Sequence, residues 1–150
     1  GPELHSASPL RFQGYRDAMR AADLRINPEW IVDGAFTFDS GIAAAHKLLC
    51  LPNRPSAIFA SNDDMAAGVV SVANRKGLSL PEDLSVCGFD DTALASIISP
   101  QLTTVQQPIR DMGYRAAKLL MPNNLLDKDT LVHTLDHQII VRQSTSGNQD

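Results

Sequence analysis

Apolar side chains recur at two spacings along the chain. Spacings of three and four residues predict amphipathic helices, and short unbroken apolar runs predict buried strands. The pattern predicts four helices: one after an N-cap at Ser8 with Pro9 at its first position, one capped by Asp39 or Ser40 and ending at Leu49, one from Asn62 to Lys76, and one at 109–120. It predicts four strands, at 30–32, 57–60, 84–89 and 138–141.

The middle of the chain carries the clearest local signals. The continuous apolar run at 57–60 is typical of a parallel strand that is covered on both faces. The polar residues at 62–64 can begin a helix, and Gly77 can end it, because glycine readily adopts the left-handed conformation that follows many helices. The alternation of strands and helices predicts an α/β fold with a mostly parallel sheet and helices on both faces.

The two ends of the chain differ from those of a complete α/β domain. The chain opens with a helix, whereas a doubly wound domain normally opens with a strand near the centre of its sheet. We therefore expect a fold that lacks its N-terminal part. The last residues, 144–150, are polar and are expected to form a disordered tail.

Charge and composition limit the partners of the chain. The 150 residues carry a formal net charge of −4, and no stripe of basic residues is visible. Binding to nucleic acid phosphates requires such a stripe, so we expect no nucleic acid binding by this piece alone. No apolar run is long enough to span a membrane and no signal peptide opens the chain, which predicts a cytoplasmic location. Cys50 and Cys87 lie in apolar runs and are expected to be reduced and buried.

Polar side chains follow two of the predicted strands. Asn62 and Asp63 come after the strand at 57–60, and Asp90 and Asp91 end the strand at 84–89. Open α/β sheets bind ligands beyond the carboxyl ends of their strands, and neighbouring parallel strands would bring these side chains to one rim. An amide and carboxylates together can bind several hydroxyl groups, which suits a polyol or a sugar-like ligand.

Other side chains could complete such a site. Phe36 or Phe38 could cover the apolar face of a sugar ring, and Arg11 could bring a planar set of donors. Each candidate also has an ordinary structural explanation. Asn62 and Asp90 could cap helices, the phenylalanines could belong to the core, and Arg11 could be a solvated charge.

An enzyme would need more than these residues. Asp90 and Asp91 could act as metal ligands or as an acid–base pair. However, no histidine, lysine or cysteine stands in a recognisable catalytic setting, so the roles of an active site cannot be filled. We therefore predict no catalytic residue, no metal site and no cofactor.

Five segments carry a family resemblance. They are RFQGY at 11–15, RPSAIFASNDDMAAG at 54–68, GLSLPEDLSVCGFDD at 77–91, PQLTTVQQP at 100–108 and VRQST at 141–145. In order and spacing these segments resemble those of LacI/GalR-type transcription repressors, and the resemblance extends from residue 1 to about 145. It implies a periplasmic-binding-protein-like fold in which a small effector binds between two subdomains.

The resemblance implies a role for five residues. In that family the positions that match Arg11, Asn62 and Asp90 face the effector. The position of Phe36, instead of Phe38, lines the cleft, and Gln107 lies near its floor. The residues chosen from the strand ends and those implied by the resemblance therefore largely coincide.

The resemblance also implies how the chain is divided. Residues 1–107 would form an incomplete second effector-binding subdomain. Residues 108–135 would be a helix and crossover of the first subdomain, and 136–143 the strand that returns to the sheet. The DNA-binding headpiece and most of the first subdomain would lie outside this chain.

The helix that begins after Asn62 is apolar on nearly all sides. Such a helix is either central in the core or shared with a partner. In the resembling family this helix and a nearby segment form a two-fold dimer interface, which would place Ala67, Val70 and Ile98 in an interface here. Plain burial in the core is the alternative.

The implied function is that of the effector-binding and dimerisation part of a LacI/GalR-type regulator. A sugar-like ligand, or a purine, would favour one orientation of the subdomains and so control DNA binding by the absent headpiece. A periplasmic-type sugar-binding protein shares the fold and is the alternative. An upstream helix-turn-helix or an upstream secretory signal would discriminate between the two.

Overall fold

A computed structural model describes residues 7–121 and 132–147 of the chain. The described elements, in chain order, are helix α1 (Ala7–Ala21), a 3-10 helix (Pro28–Trp30), α2 (Phe38–Leu49), β1 (Ala57–Phe59), α3 (Asp63–Arg75), β2 (Ser85–Asp90), α4 (Ala93–Ile97), β3 (Thr103–Gln106), α5 (Ile109–Leu119) and β4 (Gln138–Ile140). Strands and helices alternate through the middle of the chain, as the sequence predicts.

The four strands form one sheet in the order β1-β2-β3-β4. β1, β2 and β3 are parallel, and β4 is antiparallel to β3. On β2, Gly88 faces α3, whereas the neighbouring Phe89 contacts Arg11 of α1 on the opposite side. Helices therefore lie on both faces of a mostly parallel sheet, which confirms the predicted fold class.

The core lies between the sheet and the paired helices α2 and α3. Ala45, Ala66, Val72 and Val86 have no more than 1% of their surface exposed. The two helices touch through their backbones at Gly68, where an added Cβ would lie only 2.8 Å from the Ile42 nitrogen. This close approach brings α3 deep into the molecule.

The position of α3 bears on the predicted dimer interface. Ala67 and Val70 are 4% and 3% exposed within the single chain, which favours the alternative of plain burial for these two residues. Ile98 is half-buried, and its neighbour Ile97 is 76% exposed. The dimer assignment stays a prediction, and Ile98 is the member of the set that offers surface to a partner.

The predicted strand at 30–32 is wrong. Pro28–Trp30 forms a 3-10 helix instead, and Ile31 and Val32 form no ladder with any described strand. Asn27 is the reason, because its side chain accepts a hydrogen bond from the Glu29 nitrogen at 3.0 Å and caps the turn. Ile31 is extended, but neither it nor Val32 has a strand partner in the described ranges.

Two of the predicted helix caps are also wrong. Ala7 is already helical, so Ser8 lies inside α1, where its Oγ is buried and has no hydrogen-bond partner in the described part of the chain. α2 is capped by Thr37, which exchanges hydrogen bonds with Ser40 in a capping box, and Asp39 lies in its first turn. A cap is selected by backbone conformation as well as residue type, which is why several neighbouring polar residues could compete for the role.

Three other predictions of local structure can be compared with the structure: the ends of α3, the burial of β1 and the burial of Cys50. α3 is capped by Asn62 and is followed by Gly77 with a φ of 72°, as predicted. β1 is present, but it is covered on one face only, since Ile58 is buried and Phe59 is 41% exposed. Cys50 is exposed, contrary to the prediction.

Cys87 is half-buried and, like Cys50, forms no disulfide. Burial raises the pKa of the Cys87 thiol, and the nearby Asp63 carboxylate adds to this effect. A thiol with a raised pKa is protonated near neutral pH and therefore weakly nucleophilic. Cys87 accordingly acts as a packing residue of β2.

The predicted disordered tail is wrong at its first residue. Ser144 is fully buried, and its hydroxyl donates to the Val86 carbonyl at 2.6 Å and accepts from the Thr103 nitrogen at 2.8 Å. The Ser144 backbone adds hydrogen bonds with Val86 and Gln101. Residues 148–150 of the predicted tail lie outside the described residues.

The elements after residue 108 lie away from this core. α5 has no buried residue, and its apolar Ile109 and Tyr114 are 59% and 60% exposed. On β4, Ile139 is 65% exposed. Within the described ranges, no helix combines the length and the apolar character that crossing a membrane would require. The exposed side chains are consistent with the predicted boundary at 107, which stays a prediction.

Candidate ligand-binding site

The carboxyl ends of β1 and β2 form the rim of the candidate site. The two strands are parallel neighbours, and the Ala60 nitrogen donates to the Cys87 carbonyl at 2.8 Å just beyond β1. Ser61 and Asn62 follow β1, and Asp90 ends β2. The rim predicted from the sequence therefore exists.

Asn62 is the N-cap of α3 and also holds a loop. Its Oδ1 accepts from the Met65 nitrogen and its Nδ2 donates to the Phe36 carbonyl, both at 3.0 Å. Phe36 has a φ of 59°, in the left-handed region that side chains disfavour, so it needs such support. The structural explanation of Asn62 as a cap thus applies, and the same amide places the Phe36 loop beside the rim.

Asp90 lies between two donors. Its Oδ1 accepts from Gln107 Nε2 at 2.5 Å and lies 3.5 Å from Arg11 Nη2. The side chain of Asp90 is 31% exposed and that of Arg11 only 15%. Arg11 is therefore not a solvated helix charge. The alternative of Asp90 as a helix cap is also wrong, because the Thr92 nitrogen at the start of α4 donates to Asp63.

Burial raises the pKa of the Asp90 carboxyl above its ordinary value. The Gln107 hydrogen bond and the Arg11 charge act in the opposite direction, and the carboxylates of Asp63 and Asp64 reinforce the increase. A partly desolvated carboxylate gains more from each donor that a ligand brings than a carboxylate in water does. Asp90 is thus electrostatically suited to accept hydrogen bonds from a ligand.

The guanidinium of Arg11 is held by contacts on several sides. Its carbon lies 3.9 Å from the centre of the Phe89 ring and 5.8 Å from that of Phe36. Arg11 also donates a short hydrogen bond to the Ser61 carbonyl. Aromatic faces attract cations, so these rings and the Asp90 carboxylate fix the arginine at the rim.

The structure brings together all five ligand-binding residues predicted from the sequence. They form one chain of contacts: Asn62 donates to the Phe36 carbonyl, the Phe36 ring lies near Arg11, and Asp90 contacts both Arg11 and Gln107. The centre of the Phe36 ring lies 5.8 Å from the Arg11 guanidinium, whereas Phe38 is the first residue of α2 and is 42% exposed. Contact with a ligand by these residues stays a prediction.

The sequence predicts Asp63 and Asp91 at the rim beside Asn62 and Asp90, but both carboxylates bind partners behind the rim. Asp63 is fully buried and accepts a hydrogen bond from the Thr104 hydroxyl at 2.6 Å. Asp91 forms an ion pair with Arg142 at 2.7 Å. Thr104 and Arg142 lie 41 and 51 residues from their partners along the chain, so no local spacing could reveal these contacts.

A separate groove lies beside the rim. It has a volume of about 400 Å³ and runs between α1, the segment at 30–33 and β1. Its lining is mainly apolar and includes Ile31, Val32 and Phe59, together with Arg11 and Ser61 from the rim. Asp90 and Gln107 do not line it, so the groove does not coincide with the polar site. We place the candidate site at the rim, because its charged and polar groups converge there.

The rim offers groups that suit the binding of a polar ligand. It presents a carboxylate, a guanidinium, an amide and aromatic faces, which together bind hydroxyl groups and ring faces. Among the described residues, no group of three or more histidine, cysteine, aspartate or glutamate side chains is placed to hold a metal ion.

Comparison with known proteins identifies the family. Residues 1–145 match the model of the periplasmic binding protein-like domain. The chain is 42% identical over 129 residues to the HTH-type transcriptional repressor PurR of Vibrio cholerae, covering 86% of this chain and 38% of that protein. It is 41% identical over 151 residues to the HTH-type transcriptional repressor CytR of Escherichia coli, covering 97% of this chain and 43% of that protein.

Solved structures agree with the sequence relatives. A regulatory protein of the LacI family from Chloroflexus aggregans superimposes with a TM-score of 0.86 at 34% identity, over 97% of this chain and 53% of that one. The transcriptional regulator CelR in complex with cellobiose gives 0.83 at 35% identity, over 96% and 44%. The chain thus spans about two fifths of the curated relatives and about half of these structures. The chain therefore belongs to the periplasmic binding protein-like domain family, in the form that LacI-family transcriptional regulators contain.

Proposed function

We propose that this chain is the effector-binding and dimerisation part of a LacI-type transcriptional regulator. The observation that carries the proposal is the cluster of Arg11, Asp90 and Gln107 at the rim of the sheet. A partly desolvated carboxylate is held there between a guanidinium and an amide, and aromatic rings lie beside them. No catalytic role is needed to explain this arrangement.

The proposed ligand is a small sugar-like molecule with adjacent hydroxyl groups. A carboxylate accepts from two hydroxyls at once, while Arg11 donates to ring or hydroxyl oxygens. Phe36 is close enough to Arg11 to cover the apolar face of the same ring. The CelR structure holds cellobiose, which supports this class. A purine, stacked on Phe36 and hydrogen-bonded to Asp90, is the alternative ligand.

The proposed mechanism is a shift between two orientations of subdomains. Asp90 and its partner Gln107 both lie within residues 1–107, on the side of the cleft that this part of the chain would form. A ligand held by Asp90 that also contacts the other subdomain more tightly in one orientation would favour that orientation. The proposal has three further parts: a region outside this chain binds DNA, two copies of the chain pair, and the protein is cytoplasmic.

A periplasmic-type sugar-binding protein is the less favoured alternative. It would use the same fold and a similar rim for transport instead of gene control. The relatives and structures named above are transcriptional regulators, which favours the regulatory function.

Isothermal titration calorimetry tests the binding proposal. The protein would be titrated with D-glucose, D-ribose, cellobiose, glucose 6-phosphate, adenine and guanine. We expect one class to bind, and Asp90→Ala to weaken that binding by about 100-fold, because a charge-assisted hydrogen bond contributes roughly 1.5–3 kcal/mol. Asp17→Asn, in the exposed pair with Arg20, is the control and should leave affinity unchanged.

The outcomes separate the parts of the proposal. Binding that Asp90→Ala leaves unchanged would place the ligand elsewhere and refute the assigned site. No binding by any of the six compounds would refute both proposed ligand classes. Selective binding of adenine or guanine would replace the sugar with a purine while keeping the site.

A further inference from the structure

The turn after β2 has an unusual backbone conformation. Asp90 has a φ of 110° and Asp91 a φ of 52°, so two successive non-glycine residues lie in the region that side chains disfavour. Such residues persist only where the surrounding structure holds them. The carboxylate of Asp90 contacts Gln107 and Arg11 at the rim, so the anchor of the turn must come largely from its neighbours.

Asp91 anchors the turn on the side away from the rim. Its carboxylate accepts from Arg142 Nη2 at 2.7 Å and from Gln106 Nε2 at 2.6 Å. The side chains of Asp91 and Arg142 are only 10% and 18% exposed. Arg142 also donates to the Leu102 carbonyl at 2.8 Å. The ion pair therefore joins the turn to β3 and to the segment that follows β4.

Asp63 holds the same turn one residue further along. Its Oδ2 accepts from the Thr92 nitrogen at 2.7 Å and from the Thr92 hydroxyl at 3.2 Å. Its Oδ1 accepts from Thr104 Oγ1, which in turn accepts from the Asp91 nitrogen at 3.4 Å. Asp91 and Thr92 are thus fixed by side chains from α3, β3 and the end of the chain, and Asp90 is the member of the turn that faces the ligand site.

We propose that Asp91 is a positioning residue for the candidate site: through Arg142 and Gln106 it holds the turn in the conformation that directs Asp90 toward Gln107 and Arg11. The inference rests on the proposed function only in taking Asp90 to be the group that receives the ligand. Because Arg142 follows β4, the shape of the rim depends on a segment 51 residues after the turn.

Nuclear magnetic resonance of the protein without ligand tests the positioning role directly. The carboxyl carbon and the backbone amide of Asp90 would be followed in wild type, Asp91→Asn, Gln106→Ala and Asp17→Asn. We expect Asp91→Asn to shift both Asp90 signals, and Gln106→Ala to shift the same signals by less. Asp17→Asn makes the same chemical change in an exposed ion pair and should shift neither.

Gln106→Ala keeps the test valid if Asp91→Asn does not fold. Gln106 is exposed, and its removal leaves the buried ion pair intact. Asp91 adjoins Asp90 and Gln106 is the ladder partner of Asp90, so both substitutions change the Asp90 amide signal directly and the carboxyl carbon is the deciding signal. A residue with a merely structural role would lower the melting temperature without moving that carbon signal. An unshifted Asp90 carboxyl carbon signal in the folded variants would therefore overturn the proposal.

Calorimetry with the binding compound of the six-compound panel completes the experiment. We expect Asp91→Asn to weaken its binding by about tenfold or more, as loss of a supporting contact behind a binding group commonly does. Shifted Asp90 signals without a loss of affinity would also overturn the role in binding. Shifted signals in a protein that binds none of the six compounds would reject the proposed function while leaving the positioning of Asp90 by Asp91 in place.

Discussion

Replacing Gly68 with alanine should destabilise the fold, although alanine is the better helix former. Gly68 lies where α3 crosses α2, and a Cβ added there would come closest to the Phe38 carbonyl oxygen, with the Ile42 nitrogen at 2.8 Å and the Gly41 carbonyl carbon at 3.0 Å. All three are backbone atoms, so none can rotate away as the end of a side chain would. Ordinary contacts begin near 3.5 Å, so the helices would have to separate by roughly an ångström.

The expected loss follows from two opposing effects. Overpacking of a well-packed core costs about 1–3 kcal/mol, and separating α2 from α3 also loosens the contacts of Ala45 and Leu48. The higher helix propensity of alanine offsets up to about 1 kcal/mol of this. We therefore expect Gly68→Ala to lower the free energy of unfolding by about 1–2 kcal/mol, or the melting temperature by roughly 2–8 °C in a domain of this size.

Urea unfolding followed by circular dichroism measures the effect, with Gly14→Ala as the matched control. Gly14 lies in α1, where an added Cβ would meet nothing within 4 Å, so this variant should gain up to about 1 kcal/mol from helix propensity alone. The two substitutions should therefore change the free energy of unfolding in opposite directions. A Gly68→Ala protein as stable as Gly14→Ala would refute the close packing of α2 against α3 as the cause.

Two further substitutions test the electrostatics and the end of the chain. Because burial raises the pKa of Asp90 above 3.8, ionised Asp90 destabilises the folded state; Asp90→Asn should therefore be more stable than wild type at pH 7. The gain in stability of Asp90→Asn over wild type should disappear as the pH falls through the raised pKa to below 3.8. If urea unfolding gives the same gain at every pH, the raised pKa of Asp90 is not its cause. Ser144→Ala should cost about 1–3 kcal/mol, because the Thr103 nitrogen and the Val86 carbonyl lose a buried partner. Ser96→Ala, at an exposed serine, is the control, and equal losses in the two variants would contradict the role of Ser144.

Local patterns were sufficient where an element is determined by its own residues. α3 begins at the cap Asn62 and is followed by the left-handed Gly77, and both signals lie within the segment itself. The rim followed from the same kind of information, because polar residues at two strand ends meet once the strands are parallel neighbours. This is why Asn62 and Asp90 could be predicted before their distances were known.

Prediction failed where a partner distant in sequence decides the structure. Ile31 and Val32 favour a strand, but a strand also needs a neighbour, and no described strand pairs with them. Ser144 stands in a polar segment, and only its hydrogen bonds to Val86 and Thr103 show that it is buried. A pattern of residue types cannot report such long-range contacts.

The stacking of Arg11 on Phe89 has a consequence for the thermodynamics of binding. A free arginine side chain samples many rotamers, and ordering it can cost up to about 2 kcal/mol in conformational entropy. Here the ring of Phe89, the Ser61 carbonyl and the Asp90 carboxylate already restrict the guanidinium in the ligand-free protein. The conformational entropy of this side chain is therefore lost on folding and not on binding. A ligand that accepts a hydrogen bond from Arg11 would lose little affinity to the ordering of the side chain.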